Sequence, residues 1–407
     1  MITQRFPVTR TVTVEGLLTQ VGVDLQDERL SYGDERALDF LEGLSRRLLR
    51  RDLSARHPEL APLGFFLRRS QLARCLAHAA DASGGRVRVP RGLVFHIPPT
   101  NVATLLVYPW ALSMLAGNSN VVRIPSRTSP AAEALIQVLE EAADDASPVV
   151  QRTQALVAYS RDDEITGVLS AACRLRVLWG GDATVNRLRG IPLAPDTCDL
   201  TFADRCSLCV VSAPGWLAAG PAVRDAVVEG FYNDAYWFGQ AACASPLTVC
   251  WIGSSPQADA ARTDFVNRLE ATLALRRPPI DPLMAVEKRV QTYGLAIEGA
   301  AVSVEHRSAA LATASLAPGR LLDRWAGSGT FGLAHFSSLA DLAPLITRRH
   351  QTMSHFGFVR EELADFVRSL GGRGLDRLVP IGEALGFEPV WDGYDLLREF
   401  SKSVTVR

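Results

Sequence analysis

Gly92-Leu93-Val94-Phe95-His96-Ile97-Pro98-Pro99-Thr100-Asn101 is followed, one helix length later, by Asn120-Val121-Val122-Arg123-Ile124-Pro125-Ser126-Arg127-Thr128-Ser129-Pro130. The reading of these two stretches decides the fold. Residues 92–97 and 120–124 are short apolar runs bounded by turn residues, the signature of strands buried on both faces. Between them, residues 101–116 suit a helix that Gly117-Asn118 would end. No Asp, Glu, Lys or Arg occurs from Gly92 to Val122. Pro98, Pro99, Asn101, Pro109, Gly117, Asn118 and Asn120 interrupt that stretch, and a membrane-spanning helix would have no means of satisfying so many breaks and amides. A buried strand–helix–strand unit is therefore expected, with no membrane insertion.

The same rhythm continues on both sides. Ser129-Pro130 opens a helix with proline in its first turn. Residues 154–159 read as a strand, 163–172 as a helix and 175–179 as a strand, and Gly180-Gly181-Asp182 leads into another helix. Strands alternating with helices imply right-handed crossovers and a parallel sheet covered on both faces. A second α/β section follows, with strands at 207–211 and 246–252 and helices at 221–237 and 257–275. The first 85 residues are polar and Arg-rich, with helical spacing at 35–50 and 65–80. Ser403-Val404-Thr405-Val406 alternates as a short terminal strand, suited to pairing with a neighbouring domain or subunit.

A length of 407 residues fits two domains. Lys and Arg total 43 against 44 Asp and Glu, a net charge of −1, so there is no basic excess for a nucleic acid. Seven cysteines without small-domain spacing read as reduced thiols, and the N-terminus lacks the pattern of a secretory signal; a cytoplasmic protein is expected.

The candidates for chemistry are few. Cys243 lies in Phe238-Gly239-Gln240-Ala241-Ala242-Cys243-Ala244-Ser245-Pro246, where small neighbours leave a thiol open to attack a carbonyl. The same pattern also suits a structural thiol in a small-residue turn. Cys206 and Cys209 have the spacing of a metal pair, but in a strand an offset of three puts them on opposite faces, and no metal is expected. Gly327-Ser328-Gly329-Thr330-Phe331-Gly332 matches a dinucleotide motif literally, without the strand and helix that would give it meaning, and reads as a loop. The histidines do not cluster. Arg123 and Arg127, with Ser126 between them, stand at the carboxyl end of a parallel strand, where open α/β sheets bind ligands. Two guanidinium groups there would suit a ribose phosphate, and a solvated loop would look the same. Gly180-Gly181, with Thr184 a turn later, is a glycine turn feeding a helix N-terminus, a ready pyrophosphate site.

Together these motifs resemble the aldehyde dehydrogenase superfamily. Within it the sequence is most similar to the LuxC-type acyl-CoA reductases. The likeness is carried by Phe95-His96-Ile97-Pro98-Pro99-Thr100-Asn101-Val102, Gly117-Asn118-Ser119-Asn120-Val121-Val122-Arg123-Ile124-Pro125-Ser126, Trp179-Gly180-Gly181-Asp182 and Gln240-x-x-Cys243-x-Ser245-Pro246. Asp376-Arg377-Leu378-Val379-Pro380-Ile381-Gly382 and Trp391-Asp392-Gly393-Tyr394-Asp395-Leu396 complete it. The resemblance spans residues 85–407.

The resemblance implies a Rossmann-type parallel-sheet cofactor domain (86–206), a catalytic α/β domain (207–380) and a C-terminal segment (381–407). That last segment would return to the cofactor domain and end in an oligomerisation strand. Residues 1–85 would form a helical segment packed on the cofactor domain. The resemblance makes Cys243 the nucleophile and Asn101 an oxyanion-hole amide. It places Arg123, Ser126, Arg127, Gly180, Gly181 and Thr184 at a nicotinamide cofactor, with the arginines favouring NADPH. Ordinary aldehyde dehydrogenases carry a general-base Glu where this sequence reads Cys198-Asp199-Leu200-Thr201-Phe202-Ala203-Asp204. Without it an acyl-cysteine would hydrolyse slowly. The expected activity is reduction of an acyl thioester to an aldehyde by a homo-oligomer, with an acyl-activating synthetase as a partner. An aldehyde-oxidising dehydrogenase, an acyl-phosphate reductase and a catalytically silent subunit remain alternatives.

Overall fold

The structure is a computed structural model and describes residues 1–22, 29–80, 85–125 and 128–407. The chain forms two compact units, residues 1–204 with 387–407 and residues 205–386. The first is built on a seven-stranded sheet. Its strands are β1 (Ile2–Phe6), β2 (Arg10–Val12), β4 (Leu93–Ile97), β5 (Ser119–Ile124), β6 (Gln154–Ala158), β7 (Leu175–Trp179) and β8 (Cys198–Phe202), while β3 (Arg86–Pro90) lies outside it. The order is β2-β1-β6-β5-β4-β7-β8, and β4 to β8 run parallel. The strands expected near 92–97, 120–124, 154–159 and 175–179 are all present, as is the helix Asp163–Ala172.

Two differences have physical causes. The expected helical start is preceded by β1, which pairs antiparallel with β6, and β2, which pairs antiparallel with β1. Ile2, Gln4 and Phe6 alternate inward and are buried. Gln4 tolerates burial because its amide donates to the Phe6 carbonyl (3.0 Å) and accepts from Arg10 Nε (2.9 Å). The expected single helix over 101–116 is a 3₁₀ turn, Ala103–Leu106, and then a helix, Tyr108–Leu115, with Pro109 in its first turn. Proline cannot donate the backbone bond that a continuous helix would need there.

Beneath the strand ends lies a buried amide network. His96 Nε2 meets Asn120 Oδ1 at 2.9 Å, and Asn120 Nδ2 donates to Gln154 Oε1 at 2.8 Å. Burial pulls His96 down to about 4, so it is neutral at physiological pH.

The second unit holds β9 (Cys206–Ser212), β10 (Pro246–Ile252), β11 (Ala301–His306), β12 (Ala312–Leu316), β13 (Thr330–Phe336), β14 (His350–Phe356) and β15 (Arg377–Pro380). The order is β11-β12-β13-β10-β9-β14-β15, with β11 antiparallel at one edge. One face of the sheet packs Trp216, Phe231, Trp251 and Phe265, and the other packs Met353, Phe366 and Leu370. Cys206 belongs to the second cluster and Cys209 to the first, the opposite-face placement their spacing implies. Among the described residues no group of side chains could hold a metal ion, and no helix is long and apolar enough to cross a membrane.

The chain then re-enters the first unit. A short hairpin, β16 (Val390–Trp391) and β17 (Tyr394–Asp395), precedes β18 (Ser401–Thr405). β18 pairs antiparallel with β3 of the same chain. Asn118 Nδ2 donates to the Phe400 carbonyl at 2.8 Å, and Asn118 Oδ1 accepts from the Arg91 and Gly92 amides.

Candidate active site

Three neighbouring parallel strands of the first unit end in the residues singled out above. Asn101 lies exposed in the bend after β4. Arg123 lies on β5. Its guanidinium sits 4.6 Å from the centre of the Tyr159 ring, Nη2 reaches the Ser160 carbonyl at 3.5 Å, and Nε is buried with no hydrogen-bond partner among the described residues. Gly180 follows β7 and its amide donates to the Phe202 carbonyl at 3.1 Å. Gly181 is the N-cap of α1 (Asp182–Arg189), and no side chain caps that helix. Thr184 is exposed in the first turn, and a Cβ at Gly180 would stand 3.5 Å from its Cβ. Ser126 and Arg127 lie outside the described residues.

These observations meet the demands of a dinucleotide. β4 is flanked by β5 and β7, from which the chain proceeds in opposite directions, the switch point where such sheets bind ligands. A Cβ at Gly181 would meet nothing within 4 Å, so space stands open over uncapped helical amides. The orphaned Arg123 Nε supplies a donor at the next strand end but one, β4 lying between.

Cys243 occupies a turn of the second unit between α2 (Pro221–Tyr236) and β10. Phe238, Gly239 and Gln240 all have positive φ, at 55°, 59° and 61°. Such a run is costly for non-glycine residues and persists only where the surroundings hold it. The Gln240 amide does so: Nε2 donates to the Pro246 and Thr330 carbonyls (2.9 and 3.0 Å), and Oε1 accepts from the Gly329 and Thr330 amides (2.8 and 3.2 Å). Ser207 Oγ on β9 donates to the Cys243 carbonyl at 2.6 Å. Ser245 Oγ donates to the Asp234 carbonyl at 2.7 Å. Asp234, buried on α2, accepts from the Gly382 and Ala384 amides at 2.7 and 3.0 Å, and burial lifts its carboxyl to about 7.

Cys243 is half-buried, whereas Cys75, Cys173, Cys206, Cys209 and Cys250 are buried and Cys198 is exposed. Burial pushes the thiols of Cys75 up to about 11 and Cys173 to about 12, and raises Cys209 and Cys250 strongly, so none is a ready nucleophile. The Gly327–Gly329 segment is the turn before β13 that anchors Gln240. A Cβ on Gly329 would come within 2.0 Å of the Ala310 carbonyl oxygen, so its glycine is needed for packing. On β8, Asp199 is paired with the buried Arg176 through two bonds of 2.7 and 2.9 Å, which leaves it poorly placed to act as a base.

Gln240, Ser207, Ser245 and Asp234 escaped assignment from sequence. Gln240 and Ser245 carried a signal, through their fixed spacing to Cys243. The partners of Gln240 lie as far as 90 residues away.

Solved structures of similar fold include aldehyde dehydrogenases. Aldehyde dehydrogenase 21 from Physcomitrella patens, solved with succinate, matches at a TM-score of 0.69 and 12% identity, covering 98% of this chain and 92% of its own. A Thermus 1-pyrroline-5-carboxylate dehydrogenase with bound NAD gives 0.66 and 14%, covering 97% and 85%. Lactaldehyde dehydrogenase from Escherichia coli gives 0.61 and 15%, covering 91% and 86%. The fold is therefore that of the aldehyde dehydrogenases. Residues 35–291 match the acyl-CoA reductase (LuxC) family, more than half of the chain, and the protein belongs to that family. No curated protein sequence matches it. Family and fold make it a nicotinamide-dependent oxidoreductase of acyl–aldehyde chemistry.

Proposed function

We propose that the protein reduces an acyl thioester to an aldehyde through an acyl-cysteine on Cys243, with NADPH as reductant, in the cytoplasm and as a homo-oligomer. The observation that carries this reading is the Cys243 turn. It is a half-buried thiol on a strained backbone run, held from four directions by Gln240, Ser207, Ser245 and Trp325, whose Nε1 donates to the Gly239 carbonyl. Such rigidity suits a nucleophile that must meet its carbonyl in one geometry.

In this reading the Cys243 thiolate attacks the thioester carbonyl. The Asn101 side-chain amide and the Cys243 backbone amide stabilise the oxyanion, and the substrate thiol departs. The α1 N-terminus with Gly180, Gly181 and Thr184 holds the pyrophosphate. Arg123, with Ser126 and Arg127, holds the ribose phosphate. Reduced nicotinamide, when bound, would supply the hydride that takes the acyl group to the aldehyde, the bond to Cys243 Sγ breaking and the thiolate being regenerated. No Glu occurs in residues 198–204, so an acyl-cysteine would lack the general base that activates water and would persist for reduction.

The test is a thioester panel with NADPH or NADH, followed by mass spectrometry of the Cys243 peptide. Acyl-CoA should give aldehyde and an acyl adduct on Cys243, and Cys243→Ala should give neither. Retained turnover in that variant would remove the nucleophile assignment. Arg123→Ala with Arg127→Ala should weaken NADPH more than NADH. Sustained acid formation from aldehyde and NAD without CoA would favour a dehydrogenase. Preference for acyl phosphate would favour an acyl-phosphate reductase, and failure to bind any nicotinamide a silent subunit. Addition of a purified acyl-activating synthetase tests whether one serves as donor.

A further inference from the structure

The motif Asp376-Arg377-Leu378-Val379-Pro380-Ile381-Gly382 covers β15 and opens the turn after it. That turn, residues 382–386, is held from two sides. Arg377, 6% exposed, donates from Nη1 to the Ala384 carbonyl at 3.2 Å and from Nη2 to the Gly386 carbonyl at 3.1 Å. Asp234, 1% exposed, accepts from the Gly382 amide at Oδ2 and from the Ala384 amide at Oδ1. Ala384 is therefore bonded at its carbonyl by the guanidinium and at its amide by the carboxyl. Helix α2 comes this close because two glycines meet. A Cβ on Gly230, on the same face one turn before Asp234, would lie 3.0 Å from the Gly382 Cα. Gly382 itself has a φ of 101°, which glycine adopts at no steric cost.

Asp234 sits in a place unfavourable to its type. It is buried, and in the last turn of α2 an ionised carboxylate opposes the helix dipole. Its own carbonyl is among those that a helix end leaves without an intrahelical partner, and Ser245 Oγ supplies the bond. Ser245 is buried two residues after Cys243, and its amide closes the turn onto the Ala242 carbonyl at 2.9 Å. A second path reaches the same turn. Thr352 on β14 lies opposite Arg377; its amide donates to Ser207 Oγ at 3.1 Å, and that hydroxyl donates to the Cys243 carbonyl.

We infer that Asp234 is a positioning residue for Cys243: its carboxyl fixes the end of α2 to the turn clamped by Arg377, and its carbonyl passes that constraint through Ser245 to the backbone that carries the thiol. The motif over residues 376–382 thereby serves the nucleophile without touching substrate. The inference rests on Cys243 being the acylated thiol.

The full-length protein is assayed for acyl labelling of Cys243 over a range of acyl-CoA concentrations, and iodoacetamide alkylation of each cysteine is followed in parallel by mass spectrometry. Asparagine keeps the volume of Asp234 but offers one acceptor oxygen where two amides need one each. Asp234→Asn should slow acylation at saturating acyl-CoA by ~10–100-fold and leave the half-saturating concentration within about 2-fold. Cys209 and Cys250, buried in the same sheet, should stay as protected from alkylation as in the parent, whereas loss of the fold would expose them. Ser245→Ala should slow acylation by at least ~10-fold, and the double variant should be within about 3-fold of the slower single variant, because both changes cut one path. Should Asp234→Asn lose the protection of Cys209 and Cys250, Ser245→Ala decides, since it cuts the same path and leaves the carboxyl in place. A parent that forms no adduct on Cys243 would refute the nucleophile reading and this inference with it. With an acylated parent, a parental rate in either folded variant, a changed half-saturation at an unchanged limiting rate, or multiplied losses in the double variant would overturn the inference alone.

Discussion

Replacing Gln240 by alanine tests whether the Cys243 turn is held in place or merely happens to lie there. The amide makes four hydrogen bonds, all to backbone groups, at 2.8–3.2 Å in a buried setting. Alanine removes all four and leaves two donors and two acceptors without their partner. At about 1 kcal/mol of net stabilisation per bond the loss is about 4 kcal/mol, and water entering the vacated space would reduce it to about 2. For a unit of this size that corresponds to a drop of roughly 5–15 °C in its unfolding temperature. The strained φ values at Phe238 and position 240 would then relax, because the four bonds that chiefly compensate them would be gone. Acylation of Cys243 should slow by at least ~100-fold, as expected when a reacting atom shifts by about an ångström. NADPH affinity should be unchanged, because the residues assigned to it are in the first unit. Differential scanning calorimetry, NADPH fluorescence titration and timed acyl labelling read the three quantities. An unchanged transition with full labelling would refute the reasoning.

Three further outcomes are expected. Asn101→Ala should keep cofactor affinity and slow acylation by about 10²–10³-fold in rapid-quench experiments. Gly181→Val should leave thermal stability within about 1 kcal/mol, because its Cβ would meet no protein atom, yet raise the NADPH dissociation constant at least ~10-fold by occupying the space over the α1 amides. Asp234 is protonated more readily in the folded state than in the unfolded chain, so it contributes most to stability below about pH 4 and that contribution is lost as pH rises through about 7. Asp234→Asn should flatten this slope in denaturant titrations across pH 4–7, by on the order of a few kcal/mol between its ends.

The strands that lead to Asn101, Arg123 and Gly180 were legible because burial on both faces demands mostly apolar runs, and β4, β5 and β7 carry Leu93-Val94-Phe95, Val121-Val122 and Val177-Leu178-Trp179. β10 announced itself as an apolar run opened by Pro246, and the helix Asp163–Ala172 as the segment between two strands, which the structure shows capped by Asp162. β1 was hidden because its inward positions include Gln4, whose burial depends on Arg10. Asp234 was hidden for a similar reason. It looks like a surface residue of an ordinary helix until the backbone of Gly382 and Ala384, some 150 residues later, arrives to bond it. Local pattern reveals which residues are buried, but not which distant amides will satisfy them.

The return of the chain to its first unit has a consequence during synthesis. Asn118 waits 282 residues for the Phe400 carbonyl, and β3 waits until the last residues for β18. At a translation speed of about 5–20 residues per second, that interval is roughly 15–60 s. Residues 205–386, being continuous, emerge complete while the earlier half is still open along one flank. The edge formed by Asn118 and β3 therefore stays open to solvent until residues 400–405 have been made and can close it.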